Sequence, residues 1–500
     1  MQNFTRDVNL QAKAFQLHDL LRDGLISEEK RFPICVDLDG TLVKTDLLWE
    51  SLFALLKVNL AYILLVPFWL FKGKAYLKQE ITRRVTLDVT CLPYNTELLS
   101  FLIKARQRGC PLALVTASNV KIAQQIADHL GIFTYILASD DKTNLSGTRK
   151  LNALVKKYGP RGYDYAGNAS VDLKVWSQAR QAIVVAPSSR LVQRVQRITT
   201  VGHVFKARSL SIRLLLRTIR VHQWAKNSLV FVPLITSHQI SNGHIFLTSL
   251  YAFVAFSLCA SSLYVLNDCL DLEADRQHSQ KRCRSFAAGD LPVSLSFAFV
   301  PVLFCGGLFI ASLLPEFFRT ILLAYSGLSL SYSLYFKKFV LVDVLLLALL
   351  YTIRLYAGAV ASGITLSHWL LIFSMFLFLS LALMKRFTEI RTIALRDQKV
   401  TSGRGYWAED LEHIASVGAA SGYISVLVLA LYVNSNEVHA LYSRPEILWL
   451  QCPLMLYWIS LAWLLAYRGQ MQEDPVVFAL RDIRSYVVGL MIGIVMVMAA

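Results

Sequence analysis

Five hundred residues of which 55% are hydrophobic and only 17% charged make too apolar a chain for an ordinary soluble enzyme of two or three domains. The net charge of +17 does not point to nucleic acid, because eight Lys or Arg and no acid lie between Arg190 and Arg220, directly before the first apolar span, where they suit anionic headgroups. Eight cysteines without a CxxC pair exclude a zinc ribbon or a disulfide framework and fit a reducing compartment.

The first segment, 1–29, is an amino-terminal extension that mixes charges with short apolar pieces and lacks the continuous apolar core of a signal peptide. From 30 to 195 short apolar runs precede polar turns in "FPICVDLDGT", "CPLALVTAS" and "YDYAGNASVD", which predicts a parallel α/β sheet with functional groups at its strand ends. Asp37 and Asp39 fall two residues apart beyond the first of these strands, and Gly40 permits a tight turn there. Two adjacent carboxylates repel unless a cation or a proton lies between them.

The segment resembles the haloacid dehalogenase (HAD) superfamily of phosphatases in four pieces that come in the right order: "DLDGT", "LVTAS", Lys150 in "DDKTNLSGTRK", and "GNASVD". The resemblance implies a Rossmann-like domain with a helical cap, here at about 46–110, and a Mg2+-dependent phosphatase. It makes Asp37 the nucleophile and Asp39 the general acid and base. Thr116 and Lys150 become phosphate binders, and Asp172 supports magnesium together with Asp37 and Asp39. Asn168 departs from the aspartate that many members carry in the fourth motif, which removes one negative ligand while keeping a hard oxygen. Within the cap, "LAYILLVPFWLF" at 60–71 is too short to span a bilayer and reads either as a buried cap helix or as one that dips into the membrane face.

After a basic linker at 196–219, residues 220–500 read as an all-α membrane domain. The runs 244–266 and 291–315 carry no Lys, Arg, Asp or Glu, and each is long enough to cross roughly 30 Å of hydrocarbon. Further spans are expected at 228–240, 320–336, 339–361, 365–384, 414–434, 447–467 and 485–500, about nine in all. The loops at about 267–290, 332–340, 385–412 and 468–484 hold fifteen Lys and Arg, and the opposite loops only Arg319 and Arg444. This asymmetry predicts that the amino terminus and functional groups lie on the cytoplasmic side, in what is expected to be a multi-pass protein of a bacterial-type inner membrane.

The end of the first long span is the most heavily charged. "YVLNDCLDLEADRQHSQKRCRSFAAGD" places Asn267, Asp268, Asp271 and Asp275 at helical spacing on one broad face, so several oxygens can serve hard cations, with Lys281, Arg282 and Arg284 following to neutralise phosphate oxygens. A pyrophosphate suits such a cluster.

Nine spans with "NDxxDxxxD" after the second resemble the UbiA superfamily of membrane prenyltransferases. "RVHQWAKN", "DRQHSQKR", "YSLYFKKFVLVDV" and "LYTIRLYAGA" look like its polyprenyl-phosphate (decaprenyl-phosphate) phosphoribosyltransferase branch. That resemblance implies Mg2+ on Asn267, Asp268, Asp271, Asp275 and Asp343, and phosphate binding by Lys226, Lys281, Arg282, Arg284 and Lys337. Gln223, Asn227, His278, Tyr332 and Arg354 become substrate contacts, and Lys385, Arg386 and Glu389 charged neighbours at the next helix end. The implied substrates are phosphoribosyl pyrophosphate and a polyprenyl phosphate, in a chain compatible with homo-oligomers. Ser285 stands where that branch commonly has proline, and Leu347 where a second acidic motif would place an acid. The competing readings are a UbiA enzyme that prenylates an aromatic acceptor, its phosphatase serving an unrelated substrate, and a transporter with a regulatory HAD domain.

Overall fold

The structure is a computed structural model that describes residues 31–140, 144–186, 188–206, 211–278, 280–394, 405–471, 475–479 and 482–500. The expected extension at 1–29 lies outside the described residues. Two units divide the chain, one comprising 1–218 with 265–298 and the other 219–264 with 299–500.

In the first unit β1 (Ile34–Val36) is buried on both faces, as a central parallel strand must be. It is followed by helices α1 (Leu47–Val58), α2 (Tyr62–Phe71), α3 (Lys74–Thr82) and α4 (Thr96–Gln107). Then come β2 (Leu112–Asn119), α5 (Val120–Leu130), β3 (Tyr135–Ser139), α6 (Thr148–Tyr158), β4 (Asp164–Gly167), α7 (Leu173–Trp176), β5 (Gln181–Ala186), α8 (Ser189–Gln196), β6 (Thr200–Lys206) and α9 (Ile212–Thr218). All six strands pair in parallel, in the order β3-β2-β1-β4-β5-β6. The chain reverses direction across the sheet beside β1, which opens a crevice at the strand ends. Side chains alternate as the pleat requires: Ile34, Val36, Leu112 and Leu114 face one core, and Cys35, Ala113 and Val115 the other.

Two boundaries differ from those expected. Leu98, Leu99, Leu102 and Ala105 of α4 enter the same core as β1 and β2, so the cap consists of α1 to α3, which bury Leu52, Leu55, Trp69, Leu77 and Ile81 among themselves. The linker expected to begin at 196 starts after Lys206, because Thr200–Lys206 adds a sixth strand whose Phe205 packs its ring 5.8 Å from Phe101. Residues 265–298, read in sequence with the spans, pack with this first unit.

In the helical region the order is α10 (Val232–Thr236), α11 (Gly243–Leu270), α12 (Leu272–Gln277), α13 (Ser296–Ala311), α14 (Glu316–Leu334), α15 (Val342–Ser362), α16 (His368–Ala394), α17 (Leu411–Val433), α18 (Asn436–Leu441), α19 (Gln451–Tyr467), α20 (Pro475–Ala479) and α21 (Ile483–Ala499). Six stretches among the described residues are long and apolar enough to cross a membrane: 243–270, 293–311, 342–362, 368–392, 408–433 and 445–467. The count of nine is not reached. Residues 228–240 form the end of a 3-10 segment, Val221–Phe231, then only the five-residue α10 with Pro233 in its first turn. α14 is long enough but carries Glu316, Arg319 and four serines, and α21 is apolar but only 17 residues long. A Cβ at Gly358 would collide with the Val230 backbone, so this glycine lets α15 lie directly on the 3-10 segment.

Candidate active sites

The first site gathers at the strand ends around β1. Asp37 and Asp39 lie just beyond β1, Thr116 lies within β2, Asn168 just beyond β4, and Lys150 on α6. Gly40 takes a φ of 72°, and any side chain there would run into the Asn168 amide, which explains the glycine after the two aspartates. Lys150 Nζ donates to Asp37 Oδ1 at 2.8 Å and to the Tyr165 hydroxyl at 3.0 Å. Tyr165 in turn donates to Asp172 Oδ1 at 2.9 Å, whose Oδ2 accepts from the backbone N–H groups of Asn168 and Ala169 at 3.2 and 3.0 Å. Asp39 accepts from the Ser118 hydroxyl at 2.5 Å and the Leu47 N–H at 2.9 Å. The Thr116 hydroxyl accepts from the Ser118 N–H at 2.9 Å.

Burial, reinforced by the neighbouring charge of Asp46, pushes the Asp39 carboxyl up to about 7. Asp172 is also raised, first by burial and then by Asp37. Burial opposes the charge on Lys150, but Asp37 and Asp172 outweigh it, so its ammonium is held more firmly than usual. Buried carboxyls such as Asp39 and Asp172, held back from ionising, are the surroundings a divalent cation relieves, so the hard oxygens of Asp37, Asp39, Asp172 and the Asn168 amide suit one chemically. Among the described residues no group of three or more His, Cys, Asp or Glu stands in ready coordinating geometry.

Two participants have no motif in the sequence. Lys78 of cap helix α3 donates to the Ala117 carbonyl at 2.6 Å, and burial lowers its pKa despite the pull of Asp39 and Asp46. Asp46 caps α1 by accepting from the Leu48 N–H at 2.9 Å, and burial raises its pKa. Lys78 comes to the site by tertiary folding alone, whereas Asp46 is held locally as the cap of α1. The hydroxyl of Ser118 lay inside the quoted "LVTAS" and could have been picked out there.

The acidic segment belongs to the same unit. Helix α11 stops at Leu270, so Asp271 sits at the break before α12, and the four polar residues do not run along one uninterrupted helix. Arg284 Nη1 bridges Asp268 at 3.0 Å and Asp275 at 2.6 Å. One cationic group therefore reaches both carboxylates, a spacing that also suits a divalent cation. Burial raises the Asp275 carboxyl, and Arg284 opposes the shift. Asp271 Oδ1 instead meets Lys57 Nζ at 3.0 Å. Asn267 and Lys281 are half-buried and Arg282 is exposed, while His278 Nδ1 accepts from the Gln280 N–H at 3.2 Å in a local turn. Ser285, where the resembling branch has proline, is buried and bonded to the Thr218 hydroxyl at 2.8 Å.

In the helical unit Lys226 and Asn227 are buried and Gln223 is half-buried. Arg354 Nε donates to Asn227 Oδ1 at 2.9 Å and Nη2 to the Tyr325 hydroxyl at 2.7 Å, while Asn227 Nδ2 donates to Ser257 at 3.0 Å. Asp343, expected among cation ligands, is fully buried. It pairs with Arg386 and accepts from the Tyr406 hydroxyl at 2.5 Å, and Arg386 also reaches Glu389 and, at 3.0 Å, Tyr332. This is a packed ion-pair network, in which both Asp343 oxygens are engaged. Lys337 is half-buried in the short 3-10 turn Phe336–Lys338, and Lys385 lies one residue before Arg386 near the end of α16.

The chain thus combines a parallel α/β domain, with carboxylates and a lysine gathered at its strand ends, with helices long and apolar enough to cross a membrane. The UbiA prenyltransferase family model matches residues 229–481. The protein y4nM of Sinorhizobium fredii is 34% identical over 474 residues, covering 94% of this chain and 92% of that protein. A decaprenyl-phosphate phosphoribosyltransferase of Corynebacterium glutamicum is 34% identical over 180 residues, 35% of this chain and 54% of that protein. A solved substrate-bound phosphoserine phosphatase is similar over 38% of this chain and 99% of its own, with 14% identity and a TM-score of 0.26. The chain belongs to the UbiA prenyltransferase family.

Proposed function

We propose that this protein transfers 5-phosphoribose from phosphoribosyl pyrophosphate to a polyprenyl phosphate and then removes the 5-phosphate, yielding polyprenyl-phosphoryl-ribose at the cytoplasmic face of an inner membrane. The observation that carries the pairing is the gathering of Asp37, Asp39, Lys150 and Asp172 at the strand ends, which supports a phosphomonoesterase, in the same chain as an acidic segment within the residues the UbiA family model matches. The decaprenyl-phosphate phosphoribosyltransferase of C. glutamicum supports the choice of sugar donor and lipid acceptor.

In the transfer step a lipid phosphate oxygen forms a bond to ribose C1 as the bond from C1 to pyrophosphate breaks. Asn267, Asp268, Asp271 and Asp275 would hold Mg2+, and Lys281, Arg282 and Arg284 would meet phosphate oxygens. In the hydrolytic step Asp37 attacks the 5-phosphate phosphorus. Asp39, part-protonated near neutrality, gives its proton to the departing ribose oxygen and then takes one from the water that releases phosphate from Asp37. Lys150 and Thr116 hold phosphate oxygens. Mg2+ on Asp37, Asp39 and Asp172, when bound, supplies positive charge that offsets the meeting of carboxylate and phosphate.

Membranes containing the protein, incubated with labelled phosphoribosyl pyrophosphate and polyprenyl phosphate, should place label in the lipid phase. Asp271→Asn should stop that transfer but leave hydrolysis of a supplied phosphosugar lipid. An unlabelled lipid phase with the wild-type protein overturns the proposal and favours prenylation of an aromatic acceptor.

A further inference from the structure

One face of cap helix α1 is built onto the acidic segment. Glu50 is buried and takes Arg276 in a two-pronged ion pair, with Nη1 at 2.8 Å and Nη2 on the other oxygen. Arg276 Nε also donates to the Ala287 carbonyl at 3.0 Å. One turn along α1, Phe53 lies with its ring 5.3 Å from Phe297, and Trp49 lies 4.8 Å from the same ring. Beyond the cap, Asp88 accepts from Gln277 Nε2 at 3.3 Å. Lys57 falls seven residues after Glu50, hence on the same face, and its ammonium reaches Asp271.

Exposed ion pairs form readily and contribute little, and Lys57 is 42% exposed. What sets this pair apart is its mounting. A buried bidentate Arg–carboxylate pair fixes geometry, and it fixes α1 against α12, which carries Asp275 and directly follows Asp271. The lysine is therefore held at the acidic segment by the phosphatase cap itself, with Glu50 and Arg276 as the anchor.

We propose that Lys57, a residue of the phosphatase cap, is a substrate-positioning residue of the transferase, where it meets an oxygen of the diphosphate that the acidic segment binds. Glu50 and Arg276 are positioning residues that hold it in place. The inference rests on the acidic segment being a diphosphate site, but not on which diphosphate donor is used. An ammonium beside a carboxylate offers its remaining N–H donors to an incoming phosphate, and Lys57 thus adds one cation to those that Lys281, Arg282 and Arg284 supply from the loop.

Titration calorimetry of the full-length protein with inorganic pyrophosphate in excess Mg2+ tests this. The binding component lost in Asp271→Asn marks the acidic segment. In Lys57→Met that same component should weaken about tenfold, as expected when one charge-assisted contact goes. Lys57→Arg should retain most of the affinity, and all variants should hydrolyse a soluble phosphomonoester normally, because Lys57 does not touch Asp37 or Asp39. Glu50→Gln should weaken the same component through its hold on Arg276. Unchanged pyrophosphate affinity in Lys57→Met, or a parallel loss of hydrolysis that signals a disturbed cap, overturns the inference. If pyrophosphate binds and depends on Lys57 while no ribose reaches lipid, the proposed donor is wrong and the role of Lys57 stands.

Discussion

Lys150 Nζ lies 2.8 Å from Asp37 Oδ1, although 113 residues separate them in the chain. The ammonium is buried and held charged by Asp37 and Asp172, so it sits beside the proposed nucleophile with its charge fixed in place before substrate arrives. Such preorganised charge is worth most where phosphate charge develops in the transition state. Lys150→Met should therefore lower the rate of phosphomonoester hydrolysis by roughly 100- to 1,000-fold. Lys150→Arg should not restore it, since a planar guanidinium does not replace a compact ammonium. Wild-type rates with the methionine variant on a soluble phosphoester would remove Lys150 from the reaction.

The Asp39 carboxyl is pushed up from 3.8 to about 7 by burial and then Asp46, which fixes the sign of a pH effect. The folded state keeps a proton that the unfolded chain releases, so stability is lost as pH rises from about 3.8 to about 7 and the penalty is fully present above that. Asp46 and Asp172 are raised as well and act in the same direction. Protein stripped of divalent ions should therefore unfold at a lower temperature at pH 8 than at pH 6, with added Mg2+ reversing much of the difference. Asp39→Asn should flatten this dependence while abolishing hydrolysis. A melting temperature indifferent to pH across that window in stripped wild-type protein would count against the buried carboxyl pair.

How much of this was readable from the chain follows from where each group sits. Asp37, Asp39, Thr116, Lys150 and Asp172 stand in short motifs at strand ends or on the helix that follows, and local pattern is enough to place them near one crevice. Lys78 and Glu50 have no such signature, because what brings them to their partners is the packing of the cap, while Asp46, held locally as the cap of α1, lies outside the quoted motifs. The acidic segment was legible as a cluster but not in its geometry: helical spacing put Asp271 in line with Asp275, and the break after Leu270 leaves Asp271 to Lys57 and gives Asp268 and Asp275 to Arg284. At 228–240 hydrophobicity suggested a span, but the segment begins as a 3-10 stretch, the helix that follows, with Pro233 in its first turn, is only five residues long, and the left-handed His238, at a φ of 58°, lies just beyond its end. Burial of Asp343 against Arg386 depends on two residues 43 positions apart on successive helices, which no local pattern reveals.

The cap helix α2 buries only Trp69, and it leaves Leu64, Phe68 and Phe71 exposed at 70%, 67% and 89%. A buried cap helix would hide these side chains, so the exposed arrangement favours contact with lipid. Exchanging Leu64, Phe68 and Phe71 for serine should cut hydrolysis of a lipid phosphomonoester in vesicles at least tenfold, because each apolar side chain withdrawn from lipid forfeits about 1.5–3 kcal/mol. Hydrolysis of a small soluble phosphoester should stay within about twofold of wild type. Equal losses on both substrates would show that the face serves the fold and not the membrane.

Arg354 is buried with the Asn227 amide, the Tyr325 hydroxyl and the Leu350 carbonyl as hydrogen-bond partners, and its guanidinium lies 4.9 Å above the Tyr325 ring. Asn227→Leu leaves its Nε donor without that partner in a buried setting, at a cost of about 1–3 kcal/mol. A lowered melting temperature of the detergent-solubilised protein, together with weaker transfer and intact phosphoester hydrolysis, is the expected result. A melting temperature equal to wild type would mean that water takes the place of the amide.

The two chemistries leave a trace in the lipid product. In the proposed reaction, transfer from phosphoribosyl pyrophosphate would retain the 5-phosphate, so its first product would be a phosphomonoester carried on a polyprenyl lipid, the type of bond whose hydrolysis is assigned there to Asp37 and Asp39. Covalent linkage of the two sites raises the effective concentration of one for the product of the other. The intact protein should therefore yield polyprenyl-phosphoryl-ribose. Asp37→Asn removes the proposed nucleophile without touching the acidic segment, and it should make the 5-phosphorylated lipid accumulate while total transfer of label stays within about twofold of wild type. Thin-layer separation of the labelled lipids, before and after mild treatment with an added phosphatase, distinguishes the two species. If wild type and Asp37→Asn give the same unphosphorylated lipid, the amino-terminal domain acts on a different phosphomonoester.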